Sequence, residues 1–274
     1  MAHVPVPVFL VDAFAEHPFA GNPAAVCVLD EPADPAWMQS VAAELNQAAT
    51  AFIAARGDVY GLRWFTSTTE LTLCGHGTLA AAHVLLESTE SWDSIVFDTA
   101  WGRLTATREG DRVGMEFPSI PPHRIDSPDG ISEALGGASP VWVGRNDLDL
   151  FVELGSEADI RSLHPDLDRL ARLDARGVAI TAASSDPTRS FVSRYFAPRI
   201  GIPEDHATGS AHCALGPFWG ERLGLTKLIG VQLSPRGGLV EVRLGDADKA
   251  YLIGRAITTV RGTLQTGPVE LTSH

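Results

Sequence analysis

The chain has 274 residues, 45% of them hydrophobic and 20% charged. That is apolar material for one large core or two modest ones, and it excludes a disordered or fibrous chain. A net charge of -13 with no run of Lys or Arg gives no electrostatic footing for a nucleic-acid backbone or an anionic membrane surface.

The apolar start VPVPVFLVDAF has no basic leader and meets Asp12 early, so it reads as a first strand and not a signal peptide. No stretch is long enough to cross a bilayer. Alternation predicts strands from about Val4 to Phe14 and Ala24 to Leu29, joined by turn chemistry at Gly21, Asn22 and Pro23. Asp34 and Pro35 open a helix through Leu45, a capping oxygen followed by a residue with no amide hydrogen to satisfy. Strands follow at Thr50 to Ala55 and Tyr60 to Phe65, then a helix from Gly77 to Leu86. Strands near Ser94 to Phe97, Leu104 to Thr107 and Val113 to Phe117 complete a half by Pro118. The segment FPSIPPHRIDSPDG marks a boundary. Beyond it, strands are expected at Pro140 to Val143, Leu148 to Glu153, Gly177 to Thr181 and Phe191 to Phe196, with one helix over Glu157 to Leu173. A second small-residue helix covers Ser210 to Leu223, before strands at Val231 to Ser234, Leu239 to Leu244 and Ala250 to Ile253.

The halves share a weak repeat. CGHGTLAAAHVL from Cys74 resembles TGSAHCALGPFW from Thr208, and each is followed by a glycine turn and a strand, WGRLTAT and RGGLVEV. A glycine turn opening a helix offers unpaired amides and a partial positive charge to a carboxylate. Two such starts form two anion clamps, and the polar residues there are the chemical candidates: Cys74 and His76 at the first, Asp205, His206, Thr208 and Ser210 at the second. His76 suits proton transfer by its ordinary pKa, and Asp205 mirrors its turn. A helix start would also stabilise a Cys74 thiolate. Cys213, one turn into its helix, reads as packing, and the counterpart of Cys74 is expected near Ala207 or His206. Three cysteines, Cys27, Cys74 and Cys213, without paired spacing suit a reducing, cytoplasmic compartment. P-loop, Rossmann, GxSxG and HExxH signatures are absent, so no cofactor and no metal are expected.

Several stretches together resemble the phenazine-biosynthesis-protein-like (PhzF) family: VDAFAEHPFAGNPAAVCVLD, the Trp37–Met38 helix before LNQAATAFI, LRWFTSTTELTLCGHGTLAAAHVL, FVSRYFAP, IPEDHATGSAHCALGPFW and SPRGG. They run in order to about Arg261. The family is related in fold to diaminopimelate epimerase and proline racemase. The resemblance implies an α+β chain of two pseudo-symmetric half-domains, each a mixed β-sheet or barrel around a central α-helix. It implies a site between them and a homodimer. The halves are expected at 1–118 and 119–261, with the tail 262–274 returning to the first.

By the same resemblance, Asp205 and His76 are the catalytic pair. Gly75 and Gly209 supply backbone amides, and Ser210, Thr208, Gly77, Asn22, Gln47 and Ala49 complete the substrate-binding set. The family's principal acid-base glutamate lies in a pattern like N-x-S-E-T-A-F. The matching run Asn46 to Phe52 has Ala49 in its place. The implied function is a cofactor-independent isomerase that moves a proton or double bond on a small cyclic amino- or imino-carboxylate, in antibiotic or phenazine-like biosynthesis. Two alternatives stand beside it. One is a Cys74-based epimerase, since CGHGT resembles the proline-racemase motif; the other is a ligand-binding protein that has lost its base.

Overall fold

A computed structural model describes residues 5–89, 92–245 and 248–268. The chain divides into two compact units, Met1–Glu116 with Ile253–His274, and Phe117–Leu252.

In the first unit β1 (Val6–Ala13) and β2 (Asn22–Leu29) pair antiparallel. Val4, the expected start of β1, lies outside the described residues. The connection between these strands spans residues 14–21 and ends earlier than the sequence suggests. Asn22 and Pro23 already belong to β2, and the loop folds back because the Phe19 N–H donates to Asp12 Oδ2 at 2.7 Å. Helix α1 (Pro35–Leu45) starts as read: Asp34 Oδ1 accepts from Ala36 N at 2.8 Å and Trp37 N at 3.2 Å. It crosses to β3 (Ala49–Arg56), parallel to β2, and buries Trp37, Met38 and Val41 among Phe52 and Phe65. Strand β4 (Val59–Phe65) returns antiparallel and carries the short β5 (Glu70–Leu71). Helix α2 (Gly75–Ser88) then leads to β6 (Ser94–Thr99), parallel to β4, with β7 (Gly102–Glu109) and β8 (Arg112–Pro118) following antiparallel. From Gly77 to Leu86 every residue of α2 but His83 is buried. A helix apolar on all sides must be enclosed, and α2 packs against β1, β2, β3, β6 and β7.

The second unit opens with β9 (His123–Arg124), α3 (Ile131–Ala134) and the hairpin β10 (Trp142–Arg145) and β11 (Asp149–Glu153). The single helix expected over Glu157 to Leu173 is two short ones, α4 (Glu157–Arg161) and α5 (Leu167–Leu170). Pro165 cannot continue a helix, and Ser156 and Asp166 each cap a new start by accepting from Asp159 N and Arg169 N. Strand β12 (Gly177–Ala183) lies parallel to β11, β13 (Phe191–Ala197) returns antiparallel, and the short β14 (Ile202–Asp205) adds to β13. Helix α6 (Gly209–Leu223) leads to β15 (Lys227–Gln232), parallel to β13, then β16 (Gly238–Leu244) and β17 (Lys249–Gly254). The element order of the first unit therefore recurs: hairpin, crossover helix, parallel strand, return strand, short strand, long helix and parallel strand.

Within α6, Pro217 has no amide hydrogen for the Cys213 carbonyl. The Ile120 N–H fills the gap at 3.3 Å, and Ile120 O accepts from Asn146 Nδ2, so the start of the proline-rich segment is tied to this unit. The chain returns to the first unit at Ile253, before the 262 read from sequence. The reason is β18 (Ala256–Leu264), which pairs antiparallel along the whole of β1.

Candidate active site at two helix starts

At the start of α2, Cys74 is the extended N-cap residue, with φ -144° and ψ 103°, and Gly75, His76 and Gly77 are the first helical residues. Asn22, fully buried at the head of β2, places its Nδ2 3.3 Å from His76 Nδ1. An amide nitrogen only donates, so His76 Nδ1 is the acceptor in this contact. Cys74 Sγ lies 3.6 Å from Nδ1 and 3.8 Å from Nε2. Gly77 permits this crowding: a Cβ there would sit 2.8 Å from the Trp64 ring and 3.0 Å from Cys74 Sγ. Asn22, Cys74 and His76 thus form one cluster. Gln47 is turned elsewhere, its Nε2 donating to Leu45 O at 2.9 Å, and Ala49 is a fully buried residue opening β3 opposite Ala24.

At the start of α6 the cap residue is Thr208, with Gly209 and Ser210 following. Cys74 and Thr208 therefore hold equivalent places, and the counterpart of Cys74 is neither Ala207 nor His206 as the sequence suggested. His76 and Ser210 correspond likewise. Asp205, half-buried at the end of β14, is held through both oxygens: Oδ1 accepts from His206 N at 3.1 Å and Oδ2 from Thr208 Oγ1 at 2.6 Å. Gln232, a fully buried residue that sequence reasoning missed, locks this turn. Its Oε1 accepts from Thr208 N at 2.8 Å, while Nε2 donates to Asp205 O at 2.6 Å and Thr208 Oγ1 at 3.2 Å. Burial lowers the pKa of the neighbouring His206, against the pull of Asp205.

A further cluster was also invisible in the sequence. Arg176, just before β12, donates from Nη2 to Ser210 Oγ at 2.9 Å and grips the buried Asp149 through Nε at 3.0 Å and Nη2 at 2.5 Å. Tyr195 OH donates to the same carboxylate at 2.8 Å. Burial works against the guanidinium's charge, but the bonds and negative charge of Asp149 outweigh it and raise its pKa. Burial and the same carboxylate raise Tyr195.

Burial pushes Cys213 and Cys27 up to about 12, which keeps both protonated at neutral pH. With Thr208 at the second cap, no second thiol stands opposite the role of Cys74. Among the described residues no three of His, Cys, Asp and Glu converge as a metal set.

His212 gives a pH prediction. It is wholly buried in α6, with Nδ1 2.9 Å from Thr208 O, and its ring lies 5.7 Å from Phe191. Burial lowers its pKa from 6.5 to about 4, against the opposing pull of the Thr208 carbonyl and Asp205. The unfolded chain therefore binds the proton first. The associated stability is complete above about pH 6.5 and is lost as pH falls toward about 4, on the order of 3 kcal/mol in all. In His212→Phe the melting temperature is expected to fall less steeply between pH 6.5 and 4 than in the wild type. Equal slopes by circular dichroism would show that His212 does not carry this dependence.

Each unit is a mixed sheet around a long helix, and the fold is that of the diaminopimelate-epimerase type. The family model described as "Phenazine biosynthesis-like protein" (PhzC-PhzF) matches residues 11–262, and the chain belongs to that family. It is 42% identical over 261 residues to an uncharacterised isomerase of Halalkalibacterium halodurans, covering 94% of this chain and 98% of that protein. The crystal structure of a phenazine biosynthesis protein of the PhzF family from Enterococcus faecalis superposes with a TM-score of 0.90 at 38% identity, over 95% of this chain and 99% of that one. A hydroxyproline epimerase from Agrobacterium vitis shares the fold, with a TM-score of 0.62 at 12% identity over 95% of this chain and 92% of that one. No helix among the described residues is long and apolar enough to cross a membrane.

Proposed function

We propose that this chain is a cofactor-independent isomerase that transfers a proton, or shifts a double bond, on a small cyclic amino- or imino-carboxylate, with Asp205 and His76 as its proton carriers. The observation that carries the reading is Asp205. A carboxylate that accepts two hydrogen bonds beside a helix start is held in one orientation, as a general base must be. His76, oriented by Asn22, supplies the second proton carrier. Neither role calls on Ala49, which has no proton to give. The similarity to proteins named isomerases supports the reaction class.

The test is NMR of a panel of cyclic amino and imino acids, including dihydro-hydroxyanthranilate and pyrroline carboxylates, incubated with the protein in deuterated water. Deuterium uptake at one carbon, or migration of a double bond, is expected for at least one member. Binding throughout the panel without exchange would speak for a ligand-holding protein.

The distance from Cys74 Sγ to His76 favours one second reading, an epimerase with a Cys74 thiolate as its base. Under the first reading Cys74→Ala lowers exchange by less than the ~100-fold that loss of an acid-base group costs. Abolished exchange in that variant would transfer the chemistry to the thiol.

A further inference from the structure

We infer that Arg176 is a specificity-determining positioning residue: it turns Ser210 into a hydrogen-bond donor aimed at a carboxylate of the substrate. This rests on the site proposed above and adds what that site selects. A guanidinium has donors only, so in the Arg176 Nη2 to Ser210 Oγ bond the serine accepts. The hydroxyl's own hydrogen is then left for another acceptor, beside the first amides of α6, where an anion is favoured.

The geometry also keeps Arg176 from swinging away. Nε and Nη2 form a two-point fork with Asp149, whose carboxylate is 2% exposed and is held again by Tyr195 OH. Gly177 makes room for this, since a Cβ there would collide with the Tyr195 hydroxyl and ring. The Arg176 side chain as a whole remains 33% exposed, and its other terminal nitrogen, Nη1, takes no part in these bonds. An incoming anion therefore meets the Ser210 hydroxyl at the helix start.

The repeat shows that the fold does not need this ion pair. Ala49 pairs with Ala24, and Ala51 with Trp64, as Gly177 pairs with Asp149, and Ala179 with Tyr195. The places of Asp149, Arg176 and Tyr195 are thus occupied in the first unit by Ala24, Ala48 and Trp64. The same element order forms there with no ion pair at these places. A buried charge pair is costly to desolvate and is weak as a stabilising device, so a binding role accounts for it better.

The experiment compares anthranilate with its neutral isostere 2-aminobenzamide by ligand-observed NMR titration of the wild type, Arg176→Gln, Arg176→Lys and Ser210→Ala. The wild type is expected to hold anthranilate roughly tenfold or more tighter than the amide. Arg176→Gln and Ser210→Ala bring the ratio to about one, and Arg176→Lys keeps part of it. A ratio of affinities is insensitive to general loosening, and Ser210→Ala leaves the Asp149 pair whole should Arg176→Gln fail to fold. Failure of the wild type to bind anthranilate, equal affinity for the two ligands, or an unchanged ratio in both Arg176→Gln and Ser210→Ala overturns the inference. Its failure is separable from that of the isomerase reading. An Arg176-dependent preference without exchange in deuterated water sinks only the isomerase; exchange that Asp205→Asn abolishes, with the preference unchanged in Arg176→Gln and Ser210→Ala, sinks only the role of Arg176.

Discussion

Asp205→Asn is expected to slow exchange of the substrate's carbon-bound hydrogen by about 100- to 10,000-fold while the protein stays folded. The substitution keeps the size and planarity of the side chain. One amide oxygen can still accept from Thr208 Oγ1, and the backbone clamp from Gln232 to Asp205 O and Thr208 N is untouched. What is lost is a basic oxygen. The amide nitrogen then faces the His206 N–H, a mismatch worth about 1 kcal/mol, too little to unfold a domain. The rate is read by NMR in deuterated water and the fold by circular dichroism. Full turnover in a folded Asp205→Asn protein would remove Asp205 from the mechanism.

Asp149→Ala is expected to lower stability by about 3 kcal/mol, measured as the shift in urea midpoint at constant slope. The carboxylate is buried and receives Arg176 at two points and Tyr195 at a third, so its removal strands a guanidinium and a phenol. Arg176 keeps some solvent, which places the effect at the lower end for a broken buried pair. The double substitution Asp149→Leu with Arg176→Met is expected to recover most of the loss, because well-packed apolar groups replace a desolvated pair at little cost. A loss below about 1 kcal/mol in the single variant would mean that the pair is solvated in practice.

What could be read from sequence was local. The Asp34–Pro35 cap, the glycine turns before α2 and α6 and the alternation of most strands are written in neighbouring residues, and those elements fall within a few positions of expectation. The break at Pro165 was also local, but a run of helix formers on both sides masked it. Strand β18 escaped notice because its face is largely half-exposed, so it shows little apolar alternation; its partner β1 lies at the other end of the chain.

The same division holds for the candidate site. His76, Asp205 and Ser210 announced themselves by standing at helix starts. Asp149, Arg176 and Tyr195 lie far apart in the chain and meet only through the β11–β12 and β12–β13 registers, which no local pattern encodes. Gln232 is hidden for the same reason, since only the β13–β15 pairing brings the end of β15 under the Asp205 turn.

The proline inside α6 makes the proline-rich segment part of that helix's cooperative unit. A helical carbonyl without its own amide partner is satisfied from outside, by Ile120. Releasing the segment would strand that carbonyl against protein, so the segment cannot fray independently while the helix persists. The Ile120 amide is then expected to exchange with solvent as slowly as the helix core. Rapid exchange at Ile120 beside a protected α6 would show instead that the segment is an ordinary linker. If the two are protected together, any force that moves the segment is felt along the helix whose first turn carries Ser210.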